Sequence, residues 1–314
     1  MDIIYHILPI FAIPKLEKIG NFSRHGSIEN GALLCINFFV IKEFTNLTNY
    51  CIIKVKEGKW VSMSRAVCVA SGKGGTGKTS VASGLALSLA ALGKRVVVID
   101  ADVGLRNMDI VLGVSELSLF DFTDVLSGAV SLEGALLSHP LVENLKLLSA
   151  PLGENAGREV TPEQFSELVS DIKKVCDFCI IDCPAGLDFG FKLAAAAADS
   201  AIIVATPDTV SLRDAQLTRS SLRSRGISDI RLVVNRVRPS LIRRLASLNI
   251  DEAIDKTSTQ LIGIIPEDKN VIAAANRGKL ISQIKKSSAA RAYLNVARRL
   301  CGESIPLMKI SRKV

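Results

Sequence analysis

A doubly wound α/β fold, its sheet mainly parallel and flanked by helices, is the architecture this 314-residue sequence predicts, and three observations predict it. Short β-branched runs recur without polar alternation, as strands covered on both faces require. Helix-forming stretches separate them at βαβ spacing. The segment Ser71-Gly72-Lys73-Gly74-Gly75-Thr76-Gly77-Lys78-Thr79-Ser80 satisfies G-x-x-x-x-G-K-[ST] between such a strand and such a helix.

In chain order, Ala66 to Ala70 reads as the strand before the glycine-rich turn and Ser80 to Leu92 as the helix after it. The turn therefore ends at a helix N-terminus, where unpaired N–H groups and the positive end of the helix dipole favour an anion. In a P-loop the backbone N–H groups cradle phosphates, which assigns Lys78 to the β/γ-phosphates and the Thr79 hydroxyl to Mg²⁺. Lys73 is surplus to that scheme. Lys94 to Asp100 is the next strand run, followed by Leu145–Leu148, Phe178–Asp182, Ala201–Ala205, Arg231–Asn235 and Leu261–Ile265, with helices over Pro162–Val175, Ser211–Arg225 and Lys269–Arg277. Ligands of such sheets lie outside the carboxyl ends of the strands. Asp100 and Asp102 close one strand, Asp182 a second and Asn235 a third. An apolar run ending in aspartate suits a carboxylate that holds Mg²⁺ through its water shell, although a strand-terminal Asp can also simply cap the next turn.

The bulk properties bound the rest. A hydrophobic content of 48% supports a sizeable core, and the formal charge of +8 favours an anionic membrane surface or nucleic acid as partner. Seven cysteines at irregular spacing fit a reducing compartment. Cys176, Cys179 and Cys183 read as small apolar residues of a buried strand, Val175 to Cys183, in preference to thiolate metal ligands. No apolar run reaches the length of a membrane span. Residues 1–62 differ in composition and hold eight of the fifteen aromatic residues. They read either as an added small β-rich domain or partner-binding arm, or as translated upstream sequence. In the second case the functional start lies near Val61 or Met63, since Lys56-Glu57-Gly58 is what a purine-rich ribosome-binding sequence encodes. The resulting organisation is an extension over 1–62, an ATPase domain over 63–301 and a basic tail over 302–314.

The two-lysine loop, Val98-Ile99-Asp100-Ala101-Asp102-Val103-Gly104-Leu105-Arg106-Asn107-Met108-Asp109 and Ile180-Ile181-Asp182-Cys183-Pro184-Ala185-Gly186 together resemble the deviant Walker A ATPases of the MinD/ParA family, and within them the MinD group. The likeness runs from about Ser64 to Ile281 and includes Val233-Val234-Asn235-Arg236 and Ile265-Pro266-Glu267-Asp268-Lys269-Asn270-Val271. It implies Mg-dependent ATP hydrolysis in an ATP-bound homodimer, with Lys73 reaching the partner's phosphates as an arginine finger does. It further implies nucleotide contacts from Gly72, Lys73, Gly74, Gly75, Thr76, Gly77, Lys78, Thr79, Ser80, Asn235, Pro266 and Asp268, with Asn235 reading the adenine edge. Thr79, Asp100 and Asp182 attend Mg²⁺; Lys73, Lys78 and Asp102 are catalytic, Asp102 orienting the attacking water, with Asn107 in the same switch segment.

The resemblance also implies a cytoplasmic protein held reversibly on the inner face of the membrane by a short C-terminal amphipathic helix that is ordered in the ATP-bound dimer. Its role would be to place the division septum by recruiting a MinC-like inhibitor of the division ring, under a MinE-like or other topological regulator. In the tail, Leu307, Ile310 and Val314 share a helical face opposite Lys309, Arg312 and Lys313. The tail departs from the usual anchors in lacking phenylalanine, and Pro306 shortens it. The alternative is a ParA-type partitioning ATPase that binds DNA through a basic surface.

Overall fold

The computed structural model describes residues 52–54, 60–62, 64–153, 157–244, 246–284 and 286–308. The N-terminal extension lies outside these residues except for a two-stranded antiparallel ladder, β1 (Ile52–Lys54) with β2 (Trp60–Ser62). The main domain opens with β3 (Arg65–Ser71), α1 (Lys78–Ala91), β4 (Val96–Asp100), α2 (Met108–Leu112), α3 (Phe122–Leu126) and α4 (Leu132–Ala135). It continues with β5 (Leu137–Ser138), β6 (Leu145–Leu148), α5 (Pro162–Val175), β7 (Phe178–Ala185), α6 (Phe189–Ala197), β8 (Ser200–Ala205) and α7 (Thr209–Ser224). Then come β9 (Ile230–Val237), α8 (Pro239–Arg243), α9 (Ile250–Thr257), β10 (Gln260–Pro266), α10 (Lys269–Ala275) and α11 (Ser288–Leu300).

Eight strands form one sheet in the order β10-β9-β8-β3-β7-β4-β6-β5, parallel except for the short edge strand β5, which pairs antiparallel with β6. The chain leaves β3 toward β4 on one side and leaves β8 toward β9 on the other. The strand order thus reverses between β3 and β8, and a crevice opens at their carboxyl ends, where ligands bind in doubly wound sheets. The doubly wound, parallel fold expected from the sequence is the fold observed.

Each interior strand is buried on both faces; Ala66, Val67, Cys68, Val69 and Ala70 of β3 have no exposed surface. One face packs a layer that includes Phe165, Leu168, Val169 and Ile172 of α5, spaced i, i+3, i+4, i+7. A capping box starts that helix: Thr161 Oγ1 accepts from Gln164 N–H while Gln164 Oε1 accepts from Thr161 N–H, with Pro162 at the first position. The helix ends on Lys173 and Lys174. Val175 is its last residue and Cys176 its C-cap, so β7 starts at Phe178, as the strand expected over Phe178–Asp182 does, and the apolar run from Val175 opens with the end of the helix. The thiols of Cys176, Cys179 and Cys183 lie in the core, where burial raises all three; for Cys183 the neighbouring Cys68 thiol contributes most.

The opposite face carries α1, buried on nearly every side between the sheet and α11, with Ser83 and Ser88 bonded back to the helix's own carbonyls. Gly84 makes this enclosure possible, since a Cβ there would lie 2.4 Å from the buried ring of Tyr293 on α11. Beyond α11, residues 303–308 form neither helix nor strand. The Arg299 guanidinium binds the carbonyls of Ile262, Ile305 and Pro306, and Met308 packs on the core. Leu307 and Met308, the first residues of the expected amphipathic tail, lie in this irregular stretch. The Pro306 carbonyl, which would accept the first bond of a helix begun there, is taken by Arg299. Lys309, Ile310, Arg312, Lys313 and Val314 lie outside the described residues. Among the described residues no helix is long and apolar enough to cross a membrane.

Gly84→Ala is expected to lower unfolding stability by about 1–3 kcal/mol, because the Tyr293 ring has no room to retreat. Equilibrium denaturation measures this, and an unchanged unfolding stability would count against the close approach of Gly84 to the Tyr293 ring.

Candidate functional site

The glycine-rich turn sits at the carboxyl end of β3, and its shape follows from three local constraints. Ser71 Oγ donates to Lys73 carbonyl oxygen at 2.7 Å, which closes the start of the turn. Gly77 caps α1 at φ 90°, in the left-handed region that a side chain disfavours. A methyl group at Gly77 would also lie 2.5 Å from Asn235 Nδ2, which donates instead to Thr76 carbonyl oxygen at 2.8 Å. The amide of Asn235, expected to read a base edge, thus gives one proton to the turn itself and fixes its far side.

Lys78 is the first residue of α1 and is buried, whereas Lys73 stands half-exposed at the rim with Gly74 and Gly75. Two lysines in one motif therefore occupy different environments. The Lys73 ammonium lies 3.6 Å from the Asp208 carboxylate, on the N-cap of α7 in the same chain. Hydrogen bonds from Thr206 and Ser211, with the charge of Lys73, hold the Asp208 carboxyl below its usual range despite some burial. Asp208 is legible in the sequence as a helix cap, but its meeting with Lys73 is a tertiary contact no local pattern encodes.

Asp100 and Asp182 are paired residues of neighbouring strands, both almost wholly buried. Burial pushes Asp182 well above the carboxylate range; the charge of Asp100 adds to this, while Thr79 and Lys78 oppose it. Asp182 Oδ1 and Thr76 Oγ1 are buried without a hydrogen-bond partner among the described residues. Burial likewise raises Asp100, to about 6, against hydrogen bonds from the N–H groups of Met108 and Asp102. Those bonds, 3.0 Å to Oδ2 and 2.9 Å to Oδ1, clamp both ends of the segment 102–108. Asp100, expected near the metal, has both oxygens engaged as caps, the alternative duty of a strand-terminal aspartate. Asp102 is half-buried; desolvation raises it, and Lys78 and a hydrogen bond from Asn107 pull it back.

An acid pair with an orphaned oxygen, a hydroxyl at Thr79 and a buried lysine form a donor set suited to a phosphate-bound divalent cation, which takes oxygen ligands and offsets the repulsion. Pro266 is buried at the end of β10, in register with Val237. Asp268, expected at the nucleotide, has its carboxylate committed within the protein. Oδ1 accepts from Asn270 N–H, and Oδ2 accepts from the hydroxyls of Ser287 and Ser288 and from Ala289 N–H, so this side chain joins the starts of α10 and α11. Ser80 and Thr79 are partly exposed on the first turn of α1.

Comparison with known proteins agrees with this geometry. The family model for the CobQ/CobB/MinD/ParA nucleotide-binding domain matches residues 67–281. The septum site-determining protein MinD of Bacillus subtilis is 39% identical over 252 residues, covering 80% of this chain and 94% of the relative. The chain belongs to the MinD family of P-loop ATPases. Among solved MinD structures, the Aquifex aeolicus MinC:MinD complex is 36% identical with a TM-score of 0.73, spanning 78% of this chain and 99% of that one. MinD of Pyrococcus horikoshii in complex with Mg-ADP is 29% identical with a TM-score of 0.69, over 76% and 96% of the two chains. This MinD-type cell-division ATPase has the family's nucleotide-binding fold over the residues that form the crevice.

The raised acids give a pH dependence of stability for the nucleotide-free protein. Between the unfolded value of 3.8 and about 6 for Asp100, and likewise above 3.8 for the raised Asp182, the native state holds protons that the unfolded chain has released, so these groups lower stability as pH rises through that window. Asp182→Asn should therefore raise the melting temperature at pH 7.5 by a few degrees, with the gain shrinking toward pH 4. Thermal melts across pH check this; an equal gain at every pH would count against a titration origin.

Proposed function

We propose that this chain is an Mg-ATP-hydrolysing switch that dimerises with ATP, associates reversibly with an anionic membrane surface, and places the division septum by recruiting an inhibitor of the division ring. The observation that carries the dimer is the contrast between the lysines. Lys78 is enclosed in its own phosphate cradle; Lys73 is a rim cation beside two exposed glycines, free to turn toward a facing chain. Its pair with Asp208 is half-exposed, so screening limits the pair to about 0–1 kcal/mol, too little to hold Lys73 at home against the phosphates of a partner.

The chain's residues then have distinct duties. Gly72 to Ser80 bind phosphates through the turn, Lys78 neutralises the β/γ-phosphates, and Thr79 with Asp182 holds Mg²⁺, which supplies positive charge opposite the phosphate oxygens. Asp102, beside Lys78 and steadied by Asn107, orients the water. Lys73 of a second subunit stabilises charge on the transferring phosphoryl group. Asn235 faces the nucleoside, and Asp100 enters indirectly, by fixing the segment that carries Asp102.

Membrane association is supported by the basic sequence after Met308, where Lys309, Arg312 and Lys313 alternate with Ile310 and Val314. Six residues bind weakly alone, so dimerisation, by presenting two copies, would control attachment. The pinning of 305–306 by Arg299 gives the tail a fixed root. Recruitment of a MinC-like inhibitor is supported by the Aquifex relative, whose structure is of a MinC:MinD complex. A cytoplasmic protein peripheral to the inner membrane face follows from the same reading, with a MinE-like or other regulator.

Two experiments test it. Lys73→Ala should bind ADP within about twofold of wild type yet lose at least about 90% of ATP hydrolysis and fail to dimerise with ATP, read by calorimetry, phosphate release and light scattering. A fully active monomer would contradict the trans role. Separately, full-length protein should sediment with anionic vesicles in ATP but not in ADP, and a chain ending at Met308 should stay in solution with either. Equal sedimentation of all four samples would contradict the membrane switch, and salt-sensitive, ATP-dependent binding to duplex DNA would point to the partitioning alternative.

A further inference from the structure

Consecutive residues of a strand point to opposite faces, yet Asn235 and Arg236 converge on one point. The position a Cβ would take on Gly77 lies 2.5 Å from Asn235 Nδ2 and 3.9 Å from Arg236 Nε. The backbone explains how. Between the pairs Ile264↔Val234 and Pro266↔Val237, β10 advances by two residues and β9 by three, so β9 carries a bulge at Asn235–Arg236. Arg236 has φ 54°, in the left-handed region that a long side chain enters only at a cost. Bulges re-aim side chains, and this one swings Arg236 onto the face already used by Asn235.

Among the described residues, no ion pair or hydrogen bond of the Arg236 side chain offsets that strain. The other arginines of β9 and its end are paired, Arg231 with Asp229 and Arg238 with Glu267. Arg236 is exposed and, among the described residues, has no carboxylate within ion-pair distance. Its electrostatic neighbourhood is Tyr293, a ring that also feels Asp268. Lys78 instead acts on Asp102, which follows β4, and on Asp182, which lies in β7. β9 lies on the other side of β3 from those strands. A nucleotide with phosphates at Lys78 and its cation at Asp182 therefore extends its nucleoside toward the Asn235–Arg236 flank.

We propose that Arg236 is a base-contacting residue whose guanidinium lies against the face of the purine while Asn235 meets its edge, and that the left-handed bulge of β9 serves this contact. A planar guanidinium over an aromatic ring is attracted through the ring's negative face and is less strongly hydrated than an ammonium. The inference rests on the nucleotide reading above and adds the residue that grips the base.

Calorimetry on the full-length chain separates the possibilities, with Mg-ADP, Mg-ATP and inorganic tripolyphosphate as probes against wild type, Arg236→Ala and Arg236→Gly. Both substitutions should weaken ADP and ATP about tenfold and leave tripolyphosphate unchanged. Arg236→Gly should in addition raise the melting temperature of the nucleotide-free protein, because glycine accepts φ 54° without strain. Stability and affinity moving in opposite directions is an outcome that a purely structural bulge does not produce. Unchanged ADP affinity in both variants would overturn the base contact. Equal losses for ADP and tripolyphosphate would overturn it in favour of a phosphate contact. A wild-type chain that binds tripolyphosphate but not ADP would overturn it too, and one that binds neither would overturn the nucleotide reading itself.

Discussion

Two carboxylates side by side at the ends of buried strands are the constraint around which this molecule is arranged. Asp100 and Asp182 face each other in register on β4 and β7, in a sheet whose flanking residues are apolar and dry. Removing a single carboxylate from water costs several kcal/mol, and a like charge beside it adds to that cost. The chain answers with what it has: two backbone N–H groups on Asp100, a hydroxyl at Thr79 near Asp182, and the Lys78 ammonium close by. Asp182 Oδ1 is left without a partner. A core of the same size could be built more stably without these acids, so their presence marks a site that gains its balance from a bound cation and phosphates.

The rest of the crevice follows from holding one side rigid and leaving the other adjustable. Thr76 is tied to Asn235, Gly77 is fixed by its backbone and by the amide above it, and Asp100 staples residues 102–108 to the sheet. These place Lys78, Thr79 and Asp102 with little freedom, as charge stabilisation in a transition state requires. Lys73 and Arg236 are the opposite case. Both are cations at the rim, one weakly paired and one without a carboxylate among the described residues, and both have a use only when something enters the crevice or faces it.

Local sequence revealed most of the fold because the local signals agreed. The P-loop pattern, the β-branched strands and the Thr161–Gln164 capping box are each written within a few residues, and observed boundaries differ from the expected ones by no more than three residues. The site was legible where a motif carries its own geometry, at Lys78, Thr79 and Asp182. It was less legible where duty depends on distant partners. Asp268, a nucleotide contact by resemblance, also joins two helix starts through Ser287 and Ala289, nineteen to twenty-one positions away. Asp208 and Arg236 carry no sequence signal for their positions near Lys73 and Gly77, since one depends on packing of α7 and the other on a register shift between β9 and β10.

The central claim is that the buried acid at Asp182 exists to couple cation and nucleotide, and a thermodynamic cycle addresses it most directly. Calorimetric affinities for ADP would be taken with and without Mg²⁺, in wild type and in Asp182→Asn. The account predicts that Mg²⁺ strengthens ADP binding at least about tenfold in wild type and less than about twofold in the variant, with Mg-free affinity equal or higher in the variant because a buried negative charge has gone. The same Mg²⁺ enhancement in both proteins would contradict it.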